Sequence, residues 1–184
     1  RNQTSRWREA VEEFDIIIVQ GFCQMAVTNN VTRFLDARKV KYTAREIPAE
    51  KLGALEAAQF LGVPPEQVFK TMVTVREHGK SVLAVIPGTR SVDLKLLASF
   101  LGEKKMRLPT EREAEALTGL QAGGISPLAL INKGFQTVID SAAQTFGVIF
   151  VSGGQRGLNI QLRAEDLARL TNARFAHISA ILTD

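Results

Sequence analysis

The chain has 184 residues, 45 % of them hydrophobic, and a formal net charge of +4 at pH 7. That length buries one sizeable core but is short for two ordinary domains, and the longest apolar runs, Ile16 to Val19, Val82 to Ile86 and Phe146 to Val151, fall far below the ~20 residues that span a bilayer. One cysteine, Cys23, excludes an intramolecular disulfide and a multi-cysteine zinc site and fits a reducing compartment such as the cytoplasm; His78 and His177 are too far apart in sequence to argue for a metal centre.

A pI near 9.5 permits attraction to a polyanion without establishing it. No metal, no cofactor and no membrane partner is expected.

Residues Arg1 to Gln24 differ in character from the rest of the chain. A polar start containing Trp7 runs into Phe14-Asp15-Ile16-Ile17-Ile18-Val19, and Met25 opens a fresh, cleanly capped segment. The expectation is an N-terminal extension over residues 1–24 and a single domain over residues 25–184. Acidic residues ahead of the short apolar run argue against a secretory signal.

From Thr28 the signals are regular. Thr28 can cap a helix whose apolar face is Val31, Phe34 and Leu35, and a strand follows over Tyr42 to Ile47. Leu52 to Leu61 reads as a second helix that Gly62 stops, and Pro64-Pro65 starts a single turn delivering Val68, Phe69 and Lys70. Met72 to Arg76 and Ser81 to Ile86, with a short turn between them, form a hairpin pattern. Ser91 and Asp93 open a helix through Leu94, Leu97 and Leu101 that Gly102 closes. Lys104 to Arg107 is a basic connector or short strand.

Thr110 with Glu113 has the spacing of a capping box, so Thr110 to Thr118 is a helix ending at Gly119, directly before Gln121-Ala122-Gly123-Gly124-Ile125-Ser126-Pro127. Gln136 to Asp140 and Val148 to Ser152 read as strands, as does the alternating Leu158, Ile160, Leu162 after the Gly153 to Gly157 turn. Glu165 to Leu170 is a last helix, and Phe175 to Ser179 returns as an edge strand. Hairpin signals outnumber crossover signals, which predicts an α+β single domain with a mixed, mainly antiparallel, barrel-like sheet and flanking helices. No G-x-G-x-x-G stands between a strand and a helix, which disfavours a dinucleotide fold.

Four features can carry chemistry. Lys70, between an apolar turn and a strand, places a partly desolvated cation where it can hold carboxylate or phosphate, unless it merely snorkels at a strand edge. Gly123 to Ser126 offers consecutive main-chain N–H groups of the kind that hold an oxyanion, or is a structural turn. Ser126 has no neighbouring base to make it a nucleophile. Asp140, at a strand end, can orient a water or an amine, or cap the next segment. The Gly153 to Gly157 hairpin with Arg156 is a candidate phosphate contact or a glycine-rich turn.

Together these residues resemble the YbaK/EbsC family. The carriers are Thr28-Asn29-Asn30-Val31 with Phe34-Leu35, Gly62 to Thr71 with its Phe69-Lys70-Thr71 core, Leu83 to Gly88, Gly123-Gly124-Ile125-Ser126-Pro127, Asp140, and Gly153 to Leu158. The match runs from about Met25 to Ser179 and is similar to the editing domain inserted in bacterial prolyl-tRNA synthetases. It implies a free-standing deacylase that hydrolyses mischarged cysteinyl-tRNA(Pro).

By that resemblance Lys70, Gly124, Ser126 and Asp140 are the catalytic positions, and Tyr42, Thr71, Gly123, Ile125 and Arg156 contact substrate. The resemblance also implies that the substrate's own thiol attacks the ester, and that aminoacylated tRNA and prolyl-tRNA synthetase are the partners. Gln155 departs from the basic residue common in the family. Two other readings stay open: a deacylase for another small amino acid such as alanine, and a binding module without turnover. Lys104, Lys105 and Arg107 are the best basic cluster for an acceptor stem, or a solvated connector.

Overall fold

A computed structural model describes residues 27–181, so the expected extension over residues 1–24 lies outside the described residues. The first helix, α1 (Asn30–Ala37), is capped by Asn29 and not by Thr28. Asn29 Oδ1 accepts from the N–H groups of Val31 and Thr32 at 2.9 and 3.0 Å, and Thr32 Oγ1 accepts from the Asn29 N–H at 2.9 Å. The reciprocal pair fixes the helix start. Asn29 Nδ2 also donates to Gly153 O at 2.9 Å, tying that start to a distant hairpin.

After β1 (Thr43–Glu46), α2 (Ala54–Leu61) ends at Gly62, whose φ of 68° is the left-handed stop expected of glycine. A 3-10 turn over Pro65–Gln67 feeds β2 (Phe69–Arg76), which pairs with β3 (Val82–Pro87) so that Lys70 faces Ile86 and Thr74 faces Val82. Then come β4 (Arg90–Val92), α3 (Leu94–Leu101), β5 (Met106–Arg107) and α4 (Glu111–Thr118). Asp93 caps α3, while Ser91, expected to share that start, lies in β4. Thr110 caps α4, but the Glu113 carboxylate is drawn to Arg107 at 2.9 Å and does not complete a capping box. The second half of the chain gives β6 (Gln136–Asp140), β7 (Ile149–Ser152), β8 (Leu158–Leu162), α5 (Ala164–Thr171), β9 (Arg174–Ala176) and β10 (Ser179–Ile181). The single edge strand expected over Phe175 to Ser179 is therefore two short strands in different sheets.

The strands form a five-stranded sheet in the order β5-β2-β3-β6-β9, a three-stranded sheet β1-β8-β7, and the pair β10-β4. Only β3–β6 and β6–β9 run parallel among the ladders, so the mixed, mainly antiparallel α+β expectation holds. Closure into a barrel does not. One isolated parallel bridge, Val68 with Phe150, joins the two larger sheets among the described residues, and β5 is only two residues long.

Strand β3 is buried at every position because both faces of the five-stranded sheet are covered, which is why it reads as an unbroken apolar run. Val82, Ala84 and Ile86 pack with Leu97 and Ala98 of α3. Val85, with Phe69 and Ile139, meets Ile149, Val151, Leu158, Ile160 and Leu162 of the three-stranded sheet, and Leu35 and Leu167 close that core. The other face of the three-stranded sheet is covered by α2, where Phe150 packs on Ala57, Ala58 and Leu61.

Helix α2 can sit this close because Gly88, after β3, has no side chain. A Cβ there would lie 1.9 Å from Ala54 Cβ and 3.0 Å from Val68 O. Gly88→Ala should lower the unfolding free energy by about 1–3 kcal/mol in a urea titration. Adding Ala54→Gly should recover part of that loss, and no recovery would place the strain elsewhere.

Candidate functional site

Between α2, the first half of β2, the start of α4 and the loop after it lies a cavity of about 810 Å³, lined among others by Leu52, Leu55, Lys70, Thr71, Gly88, Leu108, Gly123, Ile125, Ser152 and Asn159. Its size falls in the range of small-ligand sites, roughly 300–1,000 Å³. Its walls are largely apolar, with a few polar groups set among them.

The cavity exists because, among the described residues, β2 is left unfinished on one side. β5 pairs only with Val75 and Arg76. Gly88 N–H donates to Val68 O at 2.8 Å. Hydrogen-bonded pairs alternate in an antiparallel ladder, so Lys70, Met72 and Thr74 turn their main-chain groups toward β3, while Thr71 and Val73 turn theirs to the open edge. The residues expected to matter from Phe69-Lys70-Thr71 thus lie where the edge of the sheet meets the cavity.

Lys70 is half-buried, and Nζ donates to Gly88 O at 3.2 Å. Among the described residues no carboxylate lies within ion-pair distance of it. Desolvation by burial pulls its pKa below the ordinary lysine value of 10.5. A cation held by one carbonyl and stripped of part of its water is a group held ready for an anionic or strongly dipolar partner. Thr71 adds a buried Oγ1 with no hydrogen-bond partner among the described residues.

The glycine loop approaches from the other side, and it is clamped. Arg156 Nε donates to Ala122 O at 2.7 Å, and Glu115 Oε1 accepts from the Ala122 N–H at 2.8 Å. Gly123, at φ 87°, lies against the Arg156 side chain, and a Cβ on Gly124 would sit 3.1 Å from the backbone of Gln155 and Arg156. The two adjacent glycines therefore serve a left-handed turn and a close backbone approach. Gly123 and Ile125 reach the cavity, and no hydrogen bond within the described residues occupies their N–H groups.

Five of the expected site residues are not brought to the cavity. Gly124 spends its N–H on Gln121 O at 2.8 Å. Ser126 is fully buried, and its Oγ accepts from the Leu128 N–H at 3.2 Å, an ordinary turn bond. Arg156 clamps the loop as described. Tyr42 donates its hydroxyl to Asp36 Oδ1 at 2.9 Å; burial first and that bond second push its pKa up to about 12.

Asp140 is the fifth, and its bonding is that of a cap, the second of the two readings that its place at a strand end allows. It is fully buried, with Oδ1 accepting from Ala142 N–H and Oδ2 from Ile178 N–H, both at 2.9 Å. It caps the 3-10 turn over Ser141–Thr145 and staples the C-terminal strands to the end of β6. Of the basic cluster, Lys104 and Lys105 are exposed, whereas Arg107 is paired with Glu113.

Asn159 escaped the sequence reading. In Leu158-Asn159-Ile160-Gln161-Leu162 it falls on the polar face of an alternating strand, which reads as solvent. The structure covers that face with α2, leaving Asn159 9 % exposed, opposite Ser152 on β7, at the cavity wall. Its side chain makes no hydrogen bond within the described residues. Gly88 is a second such residue: its carbonyl holds Lys70.

The family model described as aminoacyl-tRNA editing domain matches residues 49–170. EbsC of Enterococcus faecalis, named as a candidate Cys-tRNA(Pro)/Cys-tRNA(Cys) deacylase, is 39 % identical over 152 residues, which are 82 % of this chain and 92 % of EbsC. A proline–tRNA ligase of Staphylococcus aureus is 26 % identical over 107 residues, 58 % of this chain and 18 % of the ligase. The solved structure of a candidate trans-editing enzyme for prolyl-tRNA synthetase superposes with a TM-score of 0.70 at 26 % identity, covering 84 % of this chain and 99 % of that one. A hypothetical protein with a TM-score of 0.76 at 24 % identity, covering 83 % and 100 %, shares the fold.

Each buried N–H left without an acceptor costs about 1–3 kcal/mol. Asp140→Ala should accordingly lower the urea midpoint, and Asp140→Asn, which keeps one carbonyl oxygen, should lower it less. An alanine variant as stable as the parent would contradict the structural role of this carboxylate.

Proposed function

The chain belongs to the aminoacyl-tRNA editing domain family, and from that premise we propose that it hydrolyses the ester joining a wrongly attached cysteine to the 3′ end of tRNA(Pro). The supporting observation is the cavity itself. It joins a half-buried cation, Lys70, to the open main chain of Gly123 and Ile125 across a space suited to one amino acid and a terminal nucleoside.

An aminoacyl ester is already activated, so positioning it and stabilising the oxyanion that develops on its carbonyl supply most of what is needed. Lys70 and the N–H groups of Gly123 and Ile125 take that part, with Thr71 a substrate contact. Gly124, Ser126, Arg156 and Asp140 hold these groups in place from outside the cavity. No protein nucleophile is required: Ser126 is committed to its turn. The substrate's thiol gives up its proton and attacks the carbonyl carbon, the bond from that carbon to the ribose oxygen breaks, the ribose oxygen takes up a proton, and the amino acid leaves as a thiolactone that water opens to cysteine.

A free-standing editor meets charged tRNA as it leaves prolyl-tRNA synthetase, which is the partner we assign, with Lys104 and Lys105 facing the acceptor stem. The setting is the cytoplasm, and the domain spans residues 25–184. No helix among the described residues is long and apolar enough to cross a membrane.

Purified protein with cysteinyl-tRNA(Pro) and alanyl-tRNA(Pro) tests the reading. Release of cysteine is the expected result; release of alanine alone gives a different specificity, and release of neither leaves a binding module. Lys70→Met should lower the rate roughly 10²–10³-fold, the cost of losing one preorganised oxyanion partner. The same variant should unfold no earlier than the parent, since a desolvated charge has been removed. The parent's advantage over this variant should fall as pH rises through the Lys70 pKa, which burial holds below 10.5. A constant advantage to pH 10.5 would remove the lysine charge from the mechanism.

A further inference from the structure

The amino acid on the ester brings a second cation into the cavity, its α-ammonium, and neither Lys70 nor the N–H groups of Gly123 and Ile125 can hold it. Lys70 repels it. The two carboxylates among the lining residues are engaged elsewhere: Glu56 Oε2 accepts from the Gly53 N–H at 2.7 Å, and Glu111 is paired with Lys51 at 2.5 Å, both partners about half exposed. An ammonium carries only donors and needs acceptors. Within the cavity two side-chain acceptors have no protein partner among the described residues: the amide of Asn159, nine-tenths buried, and the buried hydroxyl of Thr71.

We propose that Asn159 Oδ1 and Thr71 Oγ1 form the seat of the substrate's α-ammonium, making Asn159 a specificity-determining residue. This rests on the editing reading above. Ser152, directly across the strand pair from Asn159, already accepts from the Gly154 N–H at 3.3 Å and is the weaker neighbour. The arrangement sets the positive end of the amino acid between β8 and β2, and because Lys70 and Thr71 are successive on β2 their side chains leave opposite faces, which leaves Lys70 for the carbonyl oxygen. Two like charges are thereby kept apart, and the scissile carbonyl is oriented between them. It also gives the cavity a means of rejecting acyl groups that lack an amine, because their entry leaves Asn159 buried without a partner.

The test compares cysteinyl-tRNA(Pro) with the same tRNA carrying 2-hydroxy-3-sulfanylpropanoate, in which a hydroxyl replaces the ammonium and the thiol is kept. The parent should favour the amino substrate in kcat/KM, and Asn159→Leu should shrink that preference roughly 10- to 100-fold, the worth of a charge-assisted hydrogen bond. Asn159→Asp, which restores an acceptor and adds charge, should keep the preference. Thr71→Val provides the second variant: losing an unpartnered buried hydroxyl should not lower its melting temperature, and its preference should also shrink. Equal losses on both substrates for Asn159→Leu and Thr71→Val, or no loss on either, would overturn the ammonium seat while leaving deacylation intact. A parent that cleaves neither substrate would overturn the editing reading and this inference with it.

Discussion

Everything at this site depends on half a strand that has no neighbour on one side among the described residues. A β-strand edge normally invites pairing and is covered or blunted. Here β5 stops after two residues, and the space beside Phe69 to Thr74 is roofed by α2 and α4 and not by another strand. The result is a pocket whose wall is a row of main-chain groups, with Lys70 rising from a strand that is otherwise pinned to β3 along its length. A lysine on a loop would lose far more freedom on meeting a ligand.

The second constraint is the contact between two glycine-rich loops. Gly124 has to touch the backbone at Gln155 and Arg156, and Arg156 returns the contact by holding the carbonyl of Ala122. Both loops are also anchored outside this contact, one through Glu115 on α4 and the other through Asn29 at the start of α1. The main chain at Gly123 and Ile125 is therefore set by bonds from three separate parts of the chain. Preorganised donors stabilise a developing charge more than mobile ones, because little reorganisation remains at the moment of reaction.

Much of this was legible in the sequence where local chemistry decides the outcome. The helix stops at Gly62, Gly102 and Gly119, the Asp93 cap and the β2–β3 hairpin arise from residues within a turn of one another. The pairing of Lys70 with the glycine loop was legible through resemblance, and the cavity joins them. What was not legible was long-range. Asp140 looks the same in sequence whether its second oxygen meets a ligand or the Ile178 N–H, 38 residues away. Arg156 reads as a phosphate contact until Ala122 is brought beside it. Asn159 reads as a solvated strand position until α2 covers that face. Barrel closure failed for a similar reason, because strand signals say little about whether two sheets share more than a single bridge.

The central claim is geometric: the ester carbonyl of an aminoacylated 3′ end lies between the Lys70 ammonium and the main chain of Gly123 and Ile125. A crystal structure with a cysteinyl-adenosine analogue, its ester oxygen replaced by NH so that it resists cleavage, measures this directly. The predicted result is a carbonyl oxygen within hydrogen-bonding distance of Lys70 Nζ and of the Gly123 or Ile125 N–H. An analogue bound with its carbonyl turned away from both, or bound outside this cavity, would contradict that claim.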